Sequence, residues 1–318
     1  MKATGALKTS QGPRLRKDNV FKRFWKTRFL FFLFVPTLVY FIMFKYVPMW
    51  GLRMAFYKYN LFKGFEGSKF IGFNNFTKFF NTPDFLKVTR NTLILGLQGM
   101  FINFPITVLF ALLLNELRYP KFKKITQTVS YLPHFLSTVV IIGLFSGILD
   151  PTSGAVNAII KFFGGEPIYF ITKTQWYRPI WLITGLWSGI GWGTIVYLAA
   201  ISSIDPGLYE AARLDGAGRW RQMWSITLPS IAPTVSTMFI LKVGNIMDAS
   251  LEKTLLLQVP STYEVSQVIS SFVYWQGFGT AKDYGYATAI DLFSNLINLA
   301  LLFVANWASK KATENSVF

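Results

Sequence analysis

Three stretches of this chain, Thr92 to Asn115, Ile125 to Leu149 and Pro179 to Ile204, contain no Asp, Glu, Lys or Arg. An α-helix rises about 1.5 Å per residue, so about 20 apolar residues cross the hydrocarbon of a bilayer. Lipid offers no water to satisfy a peptide group, so a crossing segment of this kind must be helical. Three more runs qualify with one charge each at most. Phe29 to Phe44 extends past Lys45 toward Leu52 if that lysine snorkels to the headgroups. Pro229 to Met247 encloses Lys242, and Tyr284 to Ala308 encloses Asp291. The expectation is an all-α integral membrane protein with six transmembrane helices.

Charge placement supports a membrane partner over nucleic acid. The chain has 32 Lys and Arg against 15 Asp and Glu, an excess that suits either an anionic bilayer face or a phosphate backbone. Nine of the basic residues fall in the first 28 positions, directly before the first apolar run, where membrane-flanking charge belongs. Membrane lipid is therefore the expected contact, and no nucleic acid. With the N-terminus inside, the inner segments hold 18 basic residues in 63 and the outer segments 13 in 112. Both termini are thus expected in the cytoplasm, although the first outer loop carries eight basic residues of its own.

Residues 1–28 read as a basic cytoplasmic tail, too long and too basic for a secretory signal. Residues 29–318 read as one transmembrane domain, with no repeat and no low-complexity linker. Ala155 to Phe163, in the second outer segment, is either a short interfacial helix or a plain loop. The absence of cysteine excludes disulfides and thiolate zinc sites, and a single histidine leaves little scope for metal chemistry. Neither a metal site nor a catalytic residue is expected.

The connection between the fourth and fifth spans, 205–229, is the most specific segment. Asp205 before Pro206 is a helix start, since the carboxylate can cap free amides and proline loses nothing at the first helical position. A short helix should run to Leu214, with Asp215, Gly216 and Gly218 supplying turn chemistry. A second amphipathic piece leads to Ile226 before Pro229 opens the next span. Ala211 and Ala212 leave a smooth surface for docking, and Glu210 offers a carboxylate to a basic partner.

Glu210, Ala211, Ala212, Gly216, Ile226, Leu228 and Pro229 reproduce the spacing of the "EAA" loop of binding-protein-dependent ABC importers, and the chain is identified by it as resembling their permease subunits. The resemblance implies the type I ABC importer transmembrane fold, in the bacterial cytoplasmic (inner) membrane, and makes the knuckle a coupling helix seated on an ATPase. Glu210, Ala211, Ala212, Leu214, Asp215 and Gly216 are then the ATPase-coupling residues. No Gly-x-x-x-x-Gly-Lys-Ser/Thr phosphate loop occurs, so ATP and Mg are expected on a partner ATPase, with no cofactor in this chain. Phe44–Gly51, Phe70–Phe76, Arg90–Thr92 and Tyr131–Ser137 resemble the carbohydrate branch, similar to the larger maltose and the glycerol-phosphate permeases and to those handling polysaccharide fragments. That resemblance implies a heterodimer with a second permease, two ATPase subunits and an extracellular or periplasmic sugar-binding protein.

A sugar path should combine aromatic rings with hydrogen-bonding groups. Trp187 and Trp192 in the fourth span supply the rings. Gly244, Asn245 and Asp248, late in the fifth, match by resemblance the sugar-contacting positions of the maltose permease. Interfacial tryptophans with a helix cap are the plainer reading. Gly185, Gly189 and Gly193 share one helix face, for close packing or to line a cavity. Lys242 and Asp291 lie at similar depth and either pair or snorkel to the headgroups. His134 is read as structural, and Pro36, Pro105 and Pro133 as possible bends. The basic first outer loop hints at an acidic oligosaccharide such as a uronate fragment. The rival functions are an ion-gradient-driven sugar transporter, which leaves the knuckle unexplained, and a membrane enzyme, for which neither His-Glu-x-x-His nor Gly-x-Ser-x-Gly is present.

Overall fold

The computed structural model describes residues 28–313, so the basic segment expected as a cytoplasmic tail lies outside the described residues except for Arg28. The described chain is helical apart from one small hairpin, and it divides into two units, up to Arg53 and from Met54 onward. In the first unit, helix α1 (Arg28–Phe41) continues through Pro36 into a π-helical turn, Ile42–Tyr46.

The second unit opens with strands β1 (Tyr57–Asn60) and β2 (Gly64–Phe70), paired antiparallel. Helices α2 (Asn74–Phe80) and α3 (Asp84–Gln98) follow. Through a π-helical turn at Gly99–Asn103, α3 joins α4 (Phe104–Asn115), making one 32-residue span. That span begins eight residues before the expected Thr92, with a charged first turn in which Asp84 and Lys87 form an ion pair at 2.6 Å. The third span is not the straight helix expected over Ile125 to Leu149. Helix α5 (Pro120–Tyr131) ends in a 3-10 turn through Pro133, and α6 (Thr138–Ile148) starts afresh at a 103° bend. Leu136 is extended there, and the Ser137 hydroxyl caps the new helix by accepting from the Val140 amide.

Helix α7 (Ala155–Phe162) settles the choice between helix and loop. Asn157, fully buried, holds it: its amide donates to the carbonyls of Leu149, Asp150 and Ile168 and accepts from the Ile168 N–H. The fourth span, α8 (Thr174–Ser202), is unbroken through Pro179. After the exposed helix α9 (Pro206–Leu214) and the short α10 (Arg219–Gln222), the fifth span is bent by 62° where α11 (Ala232–Val243) begins. It stops at Val243, short of the expected Met247. Helices α12 (Leu251–Leu257) and α13 (Ile269–Phe278) precede the last span, α14 (Tyr284–Thr313). Among the described residues, four helices are long and apolar enough to cross a membrane, or up to six if each bent pair is one crossing.

Three π-helical turns, Ile42–Tyr46, Gly99–Asn103 and Met223–Thr227, each end two residues before a proline: Pro48, Pro105 and Pro229. A proline ring clashes with the carbonyl four residues back and supplies no N–H. Widening the preceding turn relieves both faults and carries the helix through the proline, although after Pro229 it ends at Ser230.

Packing in lipid relies on close backbone approach more than on expulsion of water. A side chain on Gly191 of α8 would collide with the Ser130 carbonyl of α5, and one on Gly96 with that of Ile246. Buried apolar residues form three clusters. One, around Tyr197, Ile201, Met223 and Ile231, supports the end that carries α9. Another gathers Phe79, Met100, Ile246, Phe272, Tyr286 and Ile290 beneath the hairpin and α13. The third packs Leu95, Ile142, Tyr177 and Leu257 against the segment around α7.

Candidate functional site: an exposed helix and a cleft between three spans

Helix α9 forms as its ends dictate. The Asp205 carboxylate accepts from the Gly207 amide at 2.9 Å, and Pro206 takes the first helical position. At the other end Gly216 has φ +76, a left-handed conformation that side chains resist. Its N–H donates to Arg213 O at 3.1 Å, while that of Ala217 donates to Ala212 O at 2.8 Å. This pairing satisfies the terminal carbonyls and turns the chain sharply back.

The sequence-named residues thus share one protruding element. Glu210, Ala211, Asp215 and Gly216 are exposed, Ala212 is half-buried, and Leu214 is 90% exposed. Leu208 on the same helix and Trp220 on α10 are exposed as well. An apolar surface of this kind, beside charged side chains, suits a protein partner. The knuckle is anchored rather than loose. The Tyr209 hydroxyl lies 2.9 Å from that of Thr227, in the π-helical turn leading into the fifth span. Gln222 donates to Ala217 O at 2.6 Å, and Arg219 donates to Glu116 O at 3.0 Å at the end of the second span.

Midway along the bundle a cleft of about 460 Å³ opens between the second, fourth and fifth spans. Its lining includes Gly99, Asn103 and Thr107 of the second, Gly185, Gly189, Trp192 and Gly193 of the fourth, and Lys242 and Asn245 of the fifth. Rings, amides and an ammonium around a hollow of this size could hold a polar ligand with apolar faces. Of the candidate path residues, Trp192 and Asn245 therefore line the cleft. Trp192 is stacked on His134, ring centres 4.5 Å apart and planes 6° from parallel, so the histidine read as structural buttresses a residue of the cleft wall. Asn245 donates to Leu241 O at 2.8 Å.

The other three stand elsewhere. Trp187 packs edge-on against Phe145, 5.7 Å between centres, on the side of the third span. A side chain on Gly244 would meet Leu302, so that glycine serves the packing of α14. Asp248 is exposed in the turn after the fifth span, its N–H donating to Asn245 O. The three glycines of α8 serve both suggested roles: all line the cleft, Gly189 faces open space, and Gly193 sits against the Thr107 side chain.

Lys242 and Asp291 form no ion pair among the described residues. Asp291 accepts from Asn295 at 3.0 Å, and Lys242 turns instead to the cleft wall beside Gly99. Sequence reasoning also missed Asn103, although a polar residue two positions before Pro105 in a charge-free span was a usable signal. It missed Lys253, which comes from a segment taken as an outer loop and carries no local mark. No group of three or more potential metal ligands occurs among the described residues.

Comparison with known proteins agrees with this geometry. Residues 103–314 match the family described as binding-protein-dependent transport system inner membrane component. The chain is 41% identical over 291 residues to the polygalacturonan/rhamnogalacturonan transport system permease protein YteP of Bacillus subtilis (strain 168), covering 92% of this chain and 90% of that one. It is 38% identical over 293 residues to protein LplB of the same organism, covering 92% of each. Among solved structures, it matches a chain of a bacterial alginate ABC transporter in complex with an alginate pentasaccharide-bound periplasmic protein. That match has a TM-score of 0.85 and 37% identity, over 94% of this chain and 99% of that chain. The fold is that of a type I ABC importer permease, and the chain belongs to the binding-protein-dependent family of inner-membrane transport components.

Proposed function

We propose that this chain is one transmembrane subunit of an ATP-driven importer that moves an oligosaccharide delivered by an extracytoplasmic binding protein. The observation that carries this is helix α9, an exposed element fixed at both ends and bonded to the entry of the fifth span. A rigid lever of that form can pass motion from a docked protein into the cleft between the spans. Glu210, Ala211, Ala212, Leu214, Asp215 and Gly216 would seat in a separate ATPase subunit, which holds ATP and Mg. Two such ATPases and a second, related permease would complete the machine, and both termini of this chain would lie in the cytoplasm. The relatives support a carbohydrate cargo: polygalacturonan/rhamnogalacturonan is named for YteP, and alginate for the matched transporter.

The decisive assay is uptake into proteoliposomes that hold ATP inside, comparing wild type with Glu210→Lys. Uptake that needs ATP and is lost in the variant supports the reading. Uptake driven by an ion gradient, indifferent to ATP and to Glu210→Lys, overturns it.

A further inference from the structure

The cleft collects positive charge without an acidic partner. The ion pairs of the described residues, Lys78–Asp283, Lys87–Asp84 and Arg219–Glu116, all lie elsewhere. Lys242 lines the cleft, its Nζ 3.6 Å from where a Cβ on Gly99 would stand. Lys253 of α12 is partly buried and does not itself line the cleft, but it comes up behind Gly185, which does. Its Nζ lies 3.1 Å from where a Cβ on Gly185 would stand, a place also 3.5 Å from the Asn103 amide nitrogen. The missing side chain at Gly185 therefore gives Lys253 and Asn103 a shared opening. Gly99 and Asn103 are four residues apart, roughly 6 Å along the helix, so the two ammonium groups bracket a single turn of the second span. The Asn103 Oδ1 atom in that turn is buried with no hydrogen-bond partner.

Lys253 is a costly residue to place there. Its ammonium donates to Trp181 O at 2.6 Å and lies 4.5 Å from the centre of that indole, and among the described residues no carboxylate pairs with it. Burial pushes its amine down to about 7. Glu252, its neighbour in sequence, is engaged instead by the Thr138 hydroxyl. The Lys253 amine and the Asn103 amide nitrogen are two donors facing the space that Gly185 leaves open.

We propose that Lys242 on the cleft wall and Lys253 behind Gly185, with the Asn103 amide between them, form a carboxylate-binding pair that selects uronate-type oligosaccharides over neutral ones. This rests on the importer reading and names its substrate class.

The test uses the assembled importer, with its ATPases and binding protein, in proteoliposomes supplied with tetragalacturonate or with a neutral galactose tetramer. Wild type should import the acidic oligomer. Lys242→Gln and Lys253→Gln should each lower that uptake about tenfold, while Lys242→Arg stays within about twofold, all copurifying with the ATPase. Equal uptake by Lys242→Gln and wild type overturns the proposal, as does an equal loss in Lys242→Gln and Lys242→Arg, which marks a steric effect. Should Lys253→Gln fail to assemble, the Lys242 series decides. Import of the neutral tetramer alone leaves the importer reading intact and removes the pair, whereas ATP-dependent import of neither sugar removes the carbohydrate reading itself.

Discussion

The hydroxyls of Tyr209 and Thr227, 2.9 Å apart, join the exposed helix to the π-helical turn from which the fifth span rises. Thr227 is 1% exposed, so the bond is shielded from water. A neutral hydrogen bond of this kind contributes about 1 kcal/mol, too little to decide folding but enough to loosen a lever. Tyr209→Phe should keep the ATPase bound and hydrolysing while the sugar imported per ATP falls severalfold. Simultaneous measurement of phosphate release and uptake checks this, and an unchanged ratio contradicts it.

Lys253 makes stability depend on pH in a definite direction. Its segment, α12, lies outside the spanning helices, and burial holds its folded-state amine near 7 against an ordinary 10.5. Between those values the unfolded chain binds the extra proton, so this residue's contribution to stability rises as pH increases from about 7 to about 10. Below pH 7 both states are protonated and the folded state bears the full burden of a buried charge. The melting temperature of wild type minus that of Lys253→Met should therefore be lowest near pH 6.5 and climb with pH. A flat or falling difference contradicts the assignment.

Asn91 ties three segments together. Its amide donates to Glu264 O at 2.8 Å and Gln267 O at 3.0 Å, and its oxygen accepts from Arg178 at 3.2 Å. The side chain is fully buried. Asn91→Leu strands two carbonyls and a guanidinium, a loss of about 2–3 kcal/mol. Thermal unfolding in detergent should show the drop, larger than that for Asn245→Leu at the cleft.

Two glycines of α8 should behave in opposite ways. At Gly191 an added methyl meets the Ser130 carbonyl, whereas at Gly189 it meets nothing within 4 Å. Gly191→Ala must push α8 from α5 and should destabilise by about 1–3 kcal/mol. Gly189→Ala should leave the melting temperature unchanged and reduce uptake by narrowing the cleft. Equal stability of the two variants contradicts the packing described here.

Legibility followed the range of the interactions concerned. The knuckle could be read because Asp205, Pro206 and Gly216 act on their own neighbours, and the spans could be read because an uncharged run in lipid has one solution. The breaks were harder. Pro133 marked a bend, but its 103° depends on Ser137 restarting the helix four residues later. Pro105 bends no helix sharply, since the π-helical turn before it absorbs the clash, whereas the helix carrying Pro229 ends at Ser230 and a 62° bend follows. Lys253 meets a carbonyl 72 residues away in sequence, and Lys242 turned from Asp291 toward the wall of Gly99. Neither outcome is written in local pattern, because each depends on how the spans pack. The motif Arg90–Thr92 carried family resemblance, and the structure supplies its reason: Asn91 and Thr92 fasten the segment before α13, the Thr92 hydroxyl accepting from the Ile269 amide at 2.9 Å.

The central claim is that α9 transmits the work of a separate ATPase, and copurification coupled to transport tests it most directly. With the ATPase subunits coexpressed, wild type should retain them through purification and import sugar only when ATP is enclosed. Glu210→Lys should lose both the retained ATPase and the uptake while the chain still inserts in the membrane. Full ATP-dependent import by Glu210→Lys, together with Leu214→Asp on the most exposed apolar residue of that helix, would contradict the account.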